Sequence, residues 1–469
     1  MIKNFITMAA LSISTLSIGG AAVAKNLVSA EDSADFTTPN PSFDRHLSSS
    51  GPQGAISDAT SPSSHNNSRV RRGAETFTYL RCYYRIATEP IRTITVVPRP
   101  GGGTSTIEST RISYAHNYEW AKNSSGDYYR IAGQWGSGQG SEVNVFMYYT
   151  NSSLNDIKNA CVSTLAQLRP GKQLGKYFAA NNDSSYDYEI WSNQENQNRQ
   201  FDRIVSFGDS LSDTHNFYNI SDWNIPQRDS WALGRFSNGK VWTEHLADNM
   251  QIPQYNFAIG TSGVSPSTLG LVKGLGEQVS AFGVAVRNNA QGYRIERTLF
   301  TIFTGANDVM TYNTPAAQIV SAHENALTSL LNQGARHIVV MKLPDVTKTP
   351  RYVNDHNTSE MRAKVSAVNS GLDDVVSRLN SQWGGQSATI TLFDTYSKFN
   401  EFLRNPGAYN MTNVTSPCIQ YNGDTSFDYL VSRHFCENYD NYLFWDTVHP
   451  TSRTHKLLAD AVMNELNLR

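Results

Sequence analysis

From Phe201 to the C-terminus, short continuous apolar runs alternate with longer stretches of helical periodicity, and this alternation constrains the fold more than any other feature. Arg203–Phe207, Leu299–Phe303, His337–Met341 and Ala388–Phe393 read as buried strands. Ala316–Gln333, closed by Gly334, and Ser359–Leu379 read as helices between them. Strand–helix–strand repeats of this kind build a parallel sheet, with right-handed crossovers that cover both faces. The expected fold class is α/β, a three-layer α/β/α sandwich over 201–469.

In open parallel sheets, reactive groups collect at the carboxyl ends of the strands. Three such ends carry polar residues out of keeping with a core. The first is Gly208-Asp209-Ser210, directly after a strand. Gly208 permits a tight turn, and Ser210 is expected at the start of the next helix, where free N–H groups favour developing negative charge. A serine there can act as a nucleophile while its own N–H binds an oxyanion; an isolated Gly-Asp-Ser is more often a plain helix cap. The second is Gly305-Ala306-Asn307-Asp308. The Asn307 amide can donate to an oxyanion without carrying charge, or simply close an Asx turn. Between them, Asn256–Gly260 reads as another strand end, with Gly260 able to present a bare N–H. The third is Trp445-Asp446-Thr447-Val448-His449-Pro450, just before a helix at Ser452–Leu466. His449 can take the Ser210 proton, with Asp446 fixing its tautomer. Asp209 and Asp213 read as supports for the loop.

Taken together, Ser210 in Gly-Asp-Ser-Leu-Ser-Asp, Gly260, Asn307 in Gly-Ala-Asn-Asp and His449 in Asp-Thr-Val-His-Pro resemble the SGNH, or GDSL-type, hydrolase superfamily. Gly234–Trp242 and Phe444–Thr451 look more narrowly like its secreted bacterial phospholipase branch, which includes the Vibrio thermolabile haemolysins and the glycerophospholipid–cholesterol acyltransferases. The resemblance implies a serine esterase with the triad Ser210, Asp446 and His449 and an oxyanion hole from Ser210, Gly260 and Asn307. It needs no metal or cofactor, and its partner is phospholipid in membranes or micelles, with transient membrane-surface contact. Some haemolysins of this branch lack the acid; this chain has Asp446. Two rival readings are a short-chain or carbohydrate esterase of the same superfamily and a non-catalytic cell-surface or glycan-binding protein.

Ahead of this region, Gly73–Asp183 shows strand signals at Tyr79–Arg85, Thr93–Val97 and Val143–Tyr149, and a helical stripe at Ser153–Leu168. A small β-rich domain with one helix is expected over 73–183, and the polar run 184–200 reads as a linker. Residues 1–24 read as a signal peptide, with Lys3 ahead of an apolar stretch and Ala22-Val23-Ala24 as the cleavage site; the alternative is a single membrane anchor. Lys25–Arg72 is rich in Ser, Pro, Asn and Asp, which predicts a disordered leader. It ends at Arg69-Val70-Arg71-Arg72, a trypsin-type cleavage site or merely a solvated basic cluster.

An even count of four cysteines in an exported chain suggests disulfides, with free thiols as the alternative. Cys82, Cys161, Cys418 and Cys436 allow three connectivities, and sequence proximity favours Cys82–Cys161 and Cys418–Cys436. The balance of 39 Lys+Arg against 41 Asp+Glu, a net charge of −2, argues against a nucleic-acid partner and a polybasic anchor. It leaves the oligomeric state open.

Overall fold

The computed structural model describes residues 76–467 apart from 88–90, 99–103, 112–113, 137–145, 184, 195–199, 267–271, 291 and 422–428. The expected signal peptide, the leader and the Arg69–Arg72 site lie outside the described residues.

The N-terminal part contains β1 (Thr76–Ala87), β2 (Ile91–Pro98), β3 (Thr104–Arg111), β4 (Tyr114–Trp120), β5 (Arg130–Trp135), β6 (Met147–Thr150), α1 (Leu154–Leu168), β7 (Leu174–Ala180) and β8 (Glu189–Ser192). Its main sheet has the order β4-β1-β5-β6-β8, with β7 on β1; among the described residues, β2 and β3 pair with each other as a separate two-stranded ribbon. Alternation along β1 sends Leu80, Cys82 and Tyr84 into one core, where α1 supplies Ile157, Cys161 and Leu165. The Cys82–Cys161 disulfide fastens helix to strand.

The second part runs β9 (Arg203–Gly208), α2 (Asn216–Ile220), α3 (Trp242–Met250), β10 (Gln254–Asn256), α4 (Leu275–Asn289), β11 (Thr298–Phe303), α5 (Ala316–Gln333), β12 (His337–Met341), α6 (Ser359–Trp383), β13 (Thr389–Phe393) and α7 (Thr395–Arg404). It closes with β14 (Asn413–Pro417), β15 (Ile419–Gln420), β16 (His434–Phe435), β17 (Tyr442–Phe444) and α8 (Ser452–Glu465). The sheet β10-β9-β11-β12-β13 is parallel throughout. Its strands are apolar on both faces because both are covered. Val205, Phe207, Phe300, Ile302, Ile338 and Val340 meet α4, α5 and α6 on one side. Ile204, Leu299, Phe303, Val339 and Met341 meet α3 and α8 on the other. The expected three-layer sandwich is thus present. Cys418–Cys436 joins the junction of β14 and β15 to the segment after β16.

The run 184–200, expected as a linker, is structural: β8 occupies Glu189–Ser192 and pairs in parallel with β6. Its polar composition hides two anchors. Trp191 is fully buried and stacks on Tyr255 of β10 with centroids 4.2 Å apart. Glu189 Oε2 accepts from the Asn256 N–H at 2.8 Å. Met147, Tyr149 and Trp191 therefore belong to the same apolar cluster as the parallel sheet.

Candidate active site

Gly208 ends β9 at φ +146°, and a Cβ there would lie 2.1 Å from the Phe303 carbonyl oxygen. Only glycine lets the chain leave the sheet this close to β11, and that departure delivers Asp209 and Ser210 to the carboxyl edge. Ser210 is not at a helix start, as the sequence suggested. It sits in a turn whose N–H groups are taken by Asp209: Leu211 N–H donates to Asp209 Oδ1 at 3.0 Å, and the N–H groups of Ser212 and Asp213 donate to its carbonyl. The next helix, α2, begins only at Asn216. Ser210 therefore has no helix N-terminus beneath it.

Ser210 Oγ lies 2.7 Å from His449 Nε2. On the far side of the ring, Nδ1 lies 2.8 Å from Asp446 Oδ2 and 3.0 Å from Oδ1. The three residues are 8%, 5% and 0% exposed. Asp446 is a ring-holding carboxylate in a closed shell: Oδ1 also accepts from the N–H groups of Val448 and His449, and Oδ2 from Trp231 Nε1 at 3.0 Å. Burial alone would raise this carboxyl, but the charge of His449 and these donors outweigh it and hold it below its ordinary value. The His449 ring also packs on Phe236, with centroids 5.2 Å apart.

Asn307 joins Ser210 in lining the same pocket, its Nδ2 donating one hydrogen to the Ser262 carbonyl at 2.9 Å. Gly260 does not. Its N–H donates to Asp213 Oδ2 at 2.7 Å, and a Cβ there would lie 2.4 Å from the Phe236 ring. Asp213 also receives the N–H groups of His215, Asn216 and Phe217, so its carboxylate both starts α2 and ties up Gly260. Gly260 is required for close packing, and the expectation that it lines the oxyanion site is corrected.

A model of the GDSL-like lipase/acylhydrolase family matches residues 204–462. This chain belongs to that family. It is a carboxylic ester hydrolase, and the matched span holds the whole Ser210–His449–Asp446 arrangement. A second model, the N-terminal domain of the Vibrio dual lipase/transferase, matches 105–193 and so includes β8. Among relatives, the thermolabile hemolysin of Vibrio parahaemolyticus is 34% identical over 401 residues, covering 84% of this chain and 88% of that protein. The phosphatidylcholine-sterol acyltransferase of Aeromonas hydrophila is 25% identical over 312 residues, covering 55% and 88%.

The pocket of this GDSL hydrolase runs from the triad between apolar walls that include Phe303, Met310, Val346, Phe399, Phe402 and Leu458. Two polar groups, one behind the pocket and one lining it, were not legible as site residues. Trp231 reaches Asp446 from 215 positions away, with no motif to mark it. His455, on α8, is buried with neither ring nitrogen hydrogen-bonded among the described residues, and burial with the nearby His245 and His449 pushes it down to about 3. Asp209, expected as a loop support, does organise the turn. Its Oδ2 has no hydrogen-bond partner among the described residues, and burial raises the carboxyl to about 7.

Proposed function

We propose that the chain hydrolyses acyl esters of glycerophospholipids, as a phospholipase A or lysophospholipase, through an acyl-enzyme on Ser210. The observation that carries this reading is the Ser210–His449–Asp446 relay opening onto an apolar channel. His449 Nε2 takes the Ser210 proton as Oγ attacks the ester carbonyl, then returns it to the departing lysolipid oxygen. Asp446 holds the Nδ1 proton and stabilises the imidazolium. The Ser210 N–H and the Asn307 amide hold the oxyanion. Water, activated by His449, releases the fatty acid; an alcohol in its place would give acyl transfer.

The aromatic and aliphatic walls suit a long acyl chain better than an acetyl group. Exposed apolar side chains support contact with a lipid surface. Tyr312 lines the pocket, Val353 follows the pocket residue Arg351 by two positions, and Val431 follows Tyr429 by two. Two disulfides support export to an oxidising compartment, and no helix among the described residues is long and apolar enough to cross a membrane.

Fatty-acid release from phosphatidylcholine vesicles, compared between wild type and Ser210→Ala, tests the proposal. A loss on the order of 10⁴–10⁶-fold is expected; equal release by both proteins removes it.

A further inference from the structure

Thr261 stands in the left-handed region at φ +65°. A β-branched residue there is a backbone outlier, and such strain persists only where the surroundings impose it. They do so here: Tyr312 Oη donates to the Thr261 carbonyl at 2.6 Å, and Asn307 Nδ2 fixes the next carbonyl, of Ser262. Thr261 also carries two idle donors. Its N–H donates to no acceptor among the described residues, and its Oγ1 is buried with no partner. Both belong to a residue lining the pocket with Ser210, Asn307 and His449. Its neighbour cannot serve instead, because the Gly260 N–H is held by Asp213.

We propose that Thr261 completes the oxyanion hole, donating from its main-chain N–H and from its hydroxyl. This rests on the acyl-enzyme reading of Ser210. As Ser210 Oγ bonds to the carbonyl carbon, the C=O π pair moves onto oxygen, and His449 takes the serine proton. The oxygen is then held by the N–H groups of Ser210 and Thr261, the Asn307 amide and the Thr261 hydroxyl. When the pair returns to rebuild the carbonyl, the alcohol leaves with the proton from His449. Thr261 keeps its own proton throughout. Compared with the bare N–H a glycine would offer, a threonine supplies one further donor, its hydroxyl.

The test uses the purified full chain, with active sites counted by a fluorophosphonate and kcat and KM measured on p-nitrophenyl octanoate. Thr261→Val keeps shape and N–H but removes the hydroxyl; kcat should fall about 10²-fold, the usual cost of one such donor, with KM within about threefold. Thr261→Ser should stay within about threefold of wild type. Wild-type kcat in Thr261→Val, a loss confined to KM, or equal losses in the Val and Ser variants would overturn the proposal. If Thr261→Val does not fold, Thr261→Ala is set against Thr261→Ser, and equal rates overturn it. A crystal structure of the phosphonate adduct should place the phosphoryl oxygen within hydrogen-bond reach of Thr261 N and Oγ1; contact with Gly260 N in their place also overturns it. Full activity in Ser210→Ala would instead remove the underlying acyl-enzyme reading, so the two failures are distinguishable.

Discussion

Where the N-terminal sheet meets the parallel-sheet region, the buried carboxylates face cations and hydrogen-bond donors; around Ser210, Asp209 keeps one carboxyl oxygen unpartnered among the described residues. At the seam, Asp187 Oδ1 meets Arg81 Nη1 at 2.7 Å, and Oδ2 meets Tyr83 Oη at 2.7 Å and His215 Nε2 at 3.1 Å. Asn219 of α2 closes on its backbone carbonyl at 2.7 Å. Burial would raise Asp187, but Arg81 and these hydrogen bonds outweigh it and hold the carboxyl below its ordinary value. Nearby, Arg235 grips Glu244 with two hydrogen bonds at 2.6 and 2.7 Å, and Lys176 lies 3.7 Å from Glu189 and 3.8 Å from Glu244. Behind the pocket Asp446 is matched as fully, yet Asp209 Oδ2, Thr261 Oγ1 and both nitrogens of His455 are buried with no hydrogen-bond partner among the described residues; the seam leaves Arg81 Nε, Trp191 Nε1 and Arg203 Nε unpaired, but no carboxylate oxygen. Unsatisfied polar atoms cost stability, so a fold keeps few of them. The carboxylates of the seam spend their oxygens on cohesion, whereas the pocket keeps one carboxyl oxygen and the Thr261 hydroxyl open to a ligand.

The contrast is sharpest for His449→Ala. Removing the base should lower turnover by on the order of 10⁴–10⁶-fold while the unfolding temperature moves little; stopped activity accompanied by collapse would blur the distinction. Asp187→Ala should do the reverse. It leaves Arg81 buried without its counter-charge and should cost about 3–5 kcal/mol in denaturant unfolding, with kcat of the folded fraction near wild type. Asp209→Asn probes the pocket's reserve through pH. A carboxyl raised from 3.8 to about 7 contributes full stability below pH 4 and loses it as pH rises through 7. The variant lacks that loss, so its stability relative to wild type should climb between pH 4 and 7, by roughly 4 kcal/mol at most. A flat difference across urea titrations at several pH values would show Asp209 already satisfied. The smallest effect is expected from replacing Cys418 and Cys436 with alanine. With 18 positions between them, chain entropy puts the cost at about 3 kcal/mol, read as a lower denaturant midpoint.

The strands of the parallel sheet were legible because continuous apolar runs have few other uses in a chain with helical stretches between them. Ser210, Asn307, Asp446 and His449 stood out as polar residues at strand ends and in the final loop, and both disulfides followed from proximity. The misread parts share a cause. Residue type does not say which N–H faces a cavity, so Gly260 was assigned the place that its contact with Asp213 denies it. Ser210 was set at a helix start because a side-chain carboxylate closing a turn leaves no periodicity. The run containing Asp187, Glu189 and Trp191 looked like a tether because Ile190 and Trp191 among polar residues give no clear pattern; Ile190 packs in the N-terminal core, and Trp191 stacks on Tyr255 of the other sheet.

The shared packing of Met147, Tyr149 and Trp191 against Val205, Phe207 and Tyr255 also bears on how the molecule comes apart. Neither sheet can lose its partner without stranding aromatic surface in water, so heating should produce one calorimetric endotherm rather than two, and a fragment starting at Phe201 should be poorly soluble on its own.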